Sequence, residues 1–385
     1  MGLELLFLLL PVAAFTGWWI GRGTPGHPAQ EMALDPEYFR GLSYLINEQP
    51  DRAIEVFTRM LEVNSETVEV HIALGNLFRQ RGEVDRSIRI HQNLIARPAL
   101  TGAQRGQALF ELGQDYMRAG LLDRAENLFN ELSDNREYAV LALRKLIDIY
   151  QREKEWNQAI AVSRRLEGFA GQPLNTMVAQ YFCELAELSR KSRDYSQAMK
   201  LVRQALAEDR NCARASILEG DLLKESNKLS DAIRVYKKIE AQDSTLLSEI
   251  VERIVDCHRK LDSSHELVEY LRAIYEKYPD ESVMRALASL LREVQGEAAA
   301  FDLINDYLRK RPSISGLSHL LKLKLDTSFP SYPQELVILS DMINKTLSER
   351  PAYHCGECGF SANSLYWQCP GCQRWNTIRM IQSVK

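Results

Sequence analysis

Leu112-Gly113-Gln114-Asp115-Tyr116, followed nine residues later by Ala125-Glu126-Asn127-Leu128-Phe129, decides the fold. A small residue one turn before an aromatic, then an alanine four residues before another, is the pattern of two closely approaching helices. Upstream it returns as Gly41-x-x-Tyr44 with Ala53-x-x-x-Phe57, and as Gly75-x-x-Phe78 with Ser87-x-x-x-His91. Downstream, Ala159, Ala198, Ala232, Glu266 and Ala300 take the second-helix position, at steps of 34, 38, 34, 39, 34, 34 and 34 residues. A period near 34 is that of tetratricopeptide repeats, in which each helix–turn–helix unit buries its apolar face on its neighbours. The small residues let paired helices approach, and the aromatics Phe57, Phe129, Tyr236 and Tyr270 are expected to fill the groove of the next unit. Turn glycines Gly82 and Gly120 and closing prolines Pro279 and Pro312 punctuate the units. Loops at Arg97–Gly102 and Phe169–Pro173 account for the longer steps. A last, off-pattern pair near 315–325 and 333–350 caps the array. The expected fold is therefore all-α, a tetratricopeptide-repeat superhelical solenoid of about nine helical pairs over residues 37–350.

Two flanking segments differ from the array. Residues Leu3 to Ile20 form an apolar run whose only charge is Glu4. That length nearly spans a bilayer, and Trp18 and Trp19 suit its interface. With no basic n-region, a retained transmembrane anchor (1–20) is preferred to a cleaved signal peptide. Arg22 after the span places the bulk of the chain in the cytoplasm. Residues 21–36 read as a linker. Their Gly21-x-Gly23-x-x-Gly26 follows an apolar helix, holds Pro25 and opens no helix, so it lacks the setting of a dinucleotide site.

At the other end, residues 351–385 carry Cys355-x-x-Cys358 and Cys369-x-x-Cys372. Two such turns can present four thiolates at tetrahedral positions, a soft donor set that selects iron or zinc. Gly356, Gly359 and Gly371 allow the backbone to curl around sulfur. The apolar content of this stretch is Tyr353, Phe360, Tyr366, Trp367 and Trp375. That is too little to fold alone, so one metal ion is the expected staple and the tail is expected to dock on the repeats. The remaining thiols, Cys183, Cys212 and Cys257, read as buried structural residues, and free thiols favour a reducing compartment.

Composition excludes several classes. Hydrophobic content of 45% and charged content of 26% describe a folded chain, and a net charge of −4 creates no field for nucleic acid. Four basic residues against one acidic residue over 350–385 leave only about +1 once a four-thiolate metal site contributes −2. The seven histidines form no metalloprotease pair, and there is neither a nucleophile elbow nor a Walker lysine, so no catalytic residues are assigned. A repeat array binds protein segments.

The order of parts resembles the lipopolysaccharide assembly protein B family of Gram-negative bacteria. The residues that carry the likeness are Leu5–Ala14, Leu74–Phe78 through Gly82–Arg86, Ile88–Gln92 and Leu365-Tyr-Trp-x-Cys369-Pro-x-Cys372. The tail by itself resembles a rubredoxin-type knuckle pair with a shortened spacer. The resemblance implies a single-pass inner-membrane regulator rather than an enzyme. Its cytoplasmic repeats would help a membrane-bound ATP-dependent protease degrade the lipid A pathway deacetylase, alongside other lipopolysaccharide assembly proteins. A homodimer is compatible with it. The competing reading from the cysteines is a rubredoxin-type electron carrier scaffolded on repeats.

Overall fold

The computed structural model describes residues 36–47, 49–63, 68–98, 100–327 and 334–381. The anchor expected at 1–20 and the linker of 21–36, apart from Pro36, lie outside the described residues. Among the described residues no helix is long and apolar enough to cross a membrane.

Among the described residues, eighteen α-helices in nine pairs precede a small sheet. The pairs are α1 (Pro36–Ile46) with α2 (Pro50–Val63), α3 (Val68–Gln80) with α4 (Val84–Ile95), α5 (Gly102–Arg118) with α6 (Leu122–Leu132), α7 (Ala139–Glu153) with α8 (Trp156–Ala170), α9 (Asn175–Lys191) with α10 (Tyr195–Glu208), α11 (Ala213–Glu225) with α12 (Leu229–Gln242), α13 (Leu247–Lys260) with α14 (Ser264–Lys277), α15 (Glu281–Gln295) with α16 (Glu297–Lys310), and α17 (Ile314–Thr327) with α18 (Gln334–Ser348). The chain divides into two compact units after Ala142.

In the first eight pairs the anchor is the fourth residue of the second helix, and all eight anchors are fully or almost fully buried. This corrects one assignment. In α14 the fourth residue is Leu267, fully buried, whereas Glu266 points to solvent, so the spacing there is 35 and then 33 residues. A carboxylate cannot occupy that slot without a buried partner.

The aromatics also sit elsewhere than expected. Three of the four rings pack on the first helix of their own pair, sixteen residues upstream: Phe57 on Gly41, Phe129 on Gly113 and Tyr236 on Gly220, while the Tyr270 ring lies under Lys237 of α12. His91 lies on Gly75 in the same way. A Cβ added at Gly113 would come within 2.6 Å of the Phe129 ring, so the hydrogen at that position is what admits an aromatic. Other pairs place Ala186 with Val202 and Ala288 with Ile304 at the same positions, and Ile147 with Ser163, all buried. Small faces large in these seven pairs, which conserves the volume between the helices.

The longer steps arise mainly from helix length. Both steps above 35 contain a seventeen-residue first helix, α5 or α9, where α3 and α11 have thirteen. Phe169 and Ala170 belong to α8 rather than to a loop. One extra turn of about 3.6 residues supplies most of the difference.

Gly82 and Gly120 adopt left-handed φ two residues before the second helix of their pairs. Lys154, Arg193, Asn227 and Asp262 stand at the equivalent place with φ of 52–63°. The tight helical turn demands that conformation, and among the described residues Gly82 and Gly120 meet it with glycine.

In the first unit, a buried polar cluster joins α3, α4 and α5. His91 Nδ1 is 2.6 Å from Asp115 Oδ2, Ser87 Oγ is 2.7 Å from Asp115 Oδ1, and Arg79 donates to Asp115 at 2.9 Å. Asp115, His91 and Ser87 are fully buried, so these partners take the place of water at the Asp115 carboxyl.

Candidate metal centre

Both knuckles are built on one plan. Strands β1 (Tyr353–Cys355), β2 (Ser361–Ala362) and β3 (Ile378–Met380) form an antiparallel sheet in the order β2-β1-β3. Cys355 ends β1, and its carbonyl accepts the Gly359 amide at 3.0 Å. The Cys369 carbonyl accepts the Gln373 amide at 2.8 Å. Gly359 and Gln373 both have positive φ, turning the chain back after the second cysteine of each pair.

These turns bring the four sulfur atoms within 4.8 Å of one another. Cys355 Sγ lies 3.8 Å from Cys372 Sγ, and Cys358 Sγ 3.6 Å from Cys369 Sγ. A tetrahedral four-sulfur site with metal–sulfur bonds of about 2.3 Å has edges of about 3.8 Å, so the cluster could hold one metal ion. The donor chemistry fits as well. The Thr377 hydroxyl, 3.3 Å away, and the amides of Cys358 and Glu357 pull the Cys355 thiol down to about 6. Cys358 is pushed up to about 11: against the lowering by the Phe360 amide, partial burial and the thiols of Cys369, Cys355 and Cys372 raise it. Four sulfurs this close cannot all ionise without a cation among them. Gly371 leaves no slack, since a Cβ there would lie 3.2 Å from Cys358 Sγ. Gly356, by contrast, has room for a side chain, so only two of the three glycines are required.

The module's own core is Cys355, Cys369 and Ile378, with Tyr353, Phe360, Leu365 and Cys372 around it. Trp375 is not part of that core, and Trp367 packs against the repeats of the second unit. The Trp375 ring lies 6.0 Å from that of Trp156 and 5.9 Å from that of Tyr181, and its Nε1 donates to Gln151 at 2.9 Å. The guanidinium of Arg214 sits 5.5 Å from the Trp367 ring and 5.9 Å from the Trp375 ring. It is 2% exposed and donates to Glu184, Glu187 and Gln180. Tyr353 donates to Glu249, and Arg379 pairs with Asp243 at 3.3 Å. The module therefore touches the second unit from α7 to α13. None of these repeat residues was singled out from sequence, because their partners lie 100 to 225 positions away. The one local cue is an arginine in the buried first turn of α11.

Beside this contact a cavity of about 760 Å³ opens between the repeats and the module. One wall is Arg190, Asp221, Glu225 and Arg253, the other Tyr353, Asn363, Leu365 and Trp367. Arg190 and Arg253 are both tied to Asp221, at 3.2 and 3.1 Å.

Fold and cluster together define a tetratricopeptide-repeat protein with a rubredoxin-type metal module. Residues 353–379 match the rubredoxin metal binding domain, and 39–100 and 189–248 match tetratricopeptide repeats. The chain is 38% identical to lipopolysaccharide assembly protein B of Escherichia coli K12 over 99% of both chains, and 32% identical to that of Haemophilus influenzae, again over 99% of both. It belongs to the lipopolysaccharide assembly protein B family. A solved tetratricopeptide repeat protein from Parabacteroides merdae matches 75% of this chain and 97% of its own, at 11% identity and a TM-score of 0.35.

Proposed function

We propose that this protein is a membrane-anchored, cytoplasmically oriented regulator of lipopolysaccharide synthesis at the inner membrane, not an enzyme. It would bind partner proteins through its repeats and promote degradation of the lipid A pathway deacetylase by a membrane-bound ATP-dependent protease. The observation that carries this reading is end-to-end kinship with lipopolysaccharide assembly protein B, joined to a repeat array whose second unit has a groove walled by the metal module. Cys355, Cys358, Cys369 and Cys372 would be the ligands of one iron or zinc ion, and that ion would fix the sheet that presents Trp367 and Trp375. Arg214 then acts as the clamp, its cation held between two indole faces.

The test is partner capture from detergent-solubilised membranes, combined with the cellular level of the deacetylase. The intact chain should retain protease and deacetylase, and the deacetylase should accumulate when the chain is deleted. Replacing Arg214 by leucine should release the module and weaken capture while the helical content stays unchanged. Unaltered deacetylase turnover in the deletion strain would refute the regulatory role. Function in the iron-loaded form only, with reversible bleaching on reduction, would favour the electron carrier instead.

A further inference from the structure

Two of the thiols outside the metal cluster meet. Cys183, on α9, and Cys212, the residue that caps α11, have Sγ atoms 4.0 Å apart, with exposures of 0% and 3%. They are 29 positions apart and come together because the first helices of successive pairs lie side by side. The Gln180 amide donates to Cys212 Sγ at 3.5 Å, and the Gln180 oxygen accepts from Arg214 Nη1 at 3.3 Å. The same guanidinium faces Trp367 and Trp375 of the metal module. A pair of sulfurs in contact is thus linked, through one glutamine and one arginine, to the seat of the module.

We propose that Cys183 and Cys212 form a dithiol–disulfide site, oxidised by small hydroperoxides, whose state is transmitted to the metal module through Gln180 and Arg214. Cys212 is the attacking sulfur. The Cys183 thiol donates to it, the Ala215 amide at the start of α11 also donates, and the Arg214 charge is near, so its thiol is held below the ordinary value despite burial. Burial and the neighbouring sulfur push Cys183 up and keep it protonated. In the reaction with hydrogen peroxide, the Cys212 thiolate takes one oxygen as the O–O bond breaks, becoming a sulfenic acid. The hydroxide released combines with the proton that Cys212 had lost. Cys183 sulfur then attacks Cys212 sulfur. The S–S bond forms, the S–O bond breaks, and hydroxyl leaves as water with the Cys183 proton. Two thiols and one peroxide become one disulfide and two waters.

A disulfide needs the sulfurs about 2.05 Å apart, roughly 2 Å closer than they stand. Closing that gap draws the start of α11 toward α9 and disturbs the sulfur acceptor of the Gln180 and Ala215 donors. Arg214, two residues along, cannot keep its place between the indoles unchanged.

The experiment uses the full chain in detergent micelles, treated with increasing hydrogen peroxide, alkylated and digested without reductant. A Cys183–Cys212 cross-linked peptide should appear at doses that leave Cys257 alkylatable, and dithiothreitol should reverse it. Hydrogen exchange of the 365–377 peptide should rise in the oxidised protein. In Cys183→Ser, dimedone should trap Cys212 as sulfenic acid. If both thiols stay alkylatable while other cysteines oxidise, or Cys212 passes to sulfinic acid without cross-linking, the site is refuted. A cross-link with unchanged exchange over 365–377 refutes the transmission. These readouts on the unsubstituted chain do not depend on the variant folding, nor on whether the protein regulates lipopolysaccharide synthesis.

Discussion

The helical array and the metal module reach order by opposite routes. In seven of the nine described pairs a small residue meets a larger one sixteen positions away, glycine under ring or alanine under valine among them, so these pairs close on themselves. The module buries two cysteines and one isoleucine of its own and shows its indoles to the repeats. Order in the array is local and distributed. In the module it is concentrated in one cluster and one docking contact. Damage should therefore stay graded in the first and be all-or-none in the second.

The largest effect tests the module. Replacing Cys355 or Cys372 by serine should abolish stoichiometric metal binding. Since a structural metal contributes on the order of 10 kcal/mol to so small a fold, residues 353–380 should lose their exchange protection. Helical circular dichroism should stay near that of the parent. If the module stays protected without metal, the contrast with the array collapses.

Next comes the first unit's polar cluster, the place where the array is least forgiving. Asp115→Ala leaves Arg79 and His91 without their shared anion and should cost about 3–5 kcal/mol, read as a lower urea midpoint and early exchange in α3 to α5. Removing a partner of equal burial elsewhere should cost less.

A smaller loss is expected from Gly113→Ala, about 2–3 kcal/mol from overpacking against Phe129. Adding Phe129→Val copies the Ala186 and Val202 arrangement and should recover most of it. If the double variant is no better than the single one, the sixteen-residue complementarity is not what closes a pair.

The smallest effect is a gain. Lys154 holds a φ of 60°, and Lys154→Gly should add roughly 0.5–1 kcal/mol by removing the left-handed strain, visible as a slightly higher melting temperature.

Sequence reading succeeds where information is local and repeats. Buried small anchors stand out at a period near 34, and two Cys-x-x-Cys turns leave few alternatives. It slipped at Glu266 because a fixed period hides a one-residue adjustment that only burial reveals. It credited loops with length that α5 and α9 hold as an extra turn, since glycine and proline are conspicuous and a longer amphipathic run is not. Four left-handed turns went unseen because lysine, arginine, asparagine and aspartate occupy them. The docking of Trp375 on Gln151, 224 positions away, has no signal in any window of sequence.

That last separation has a consequence in time. Synthesis runs from the amino terminus, and pairs that close locally can settle as they emerge. Residues 351–381 follow all nine pairs, so the wall formed by Tyr353, Leu365 and Trp367 is added to a finished array. Until then Arg214, Trp156 and Tyr181 lack the indoles of Trp367 and Trp375. A chain halted before Cys355 would carry every described helical pair and yet lack the wall that Leu365 and Trp367 give the groove.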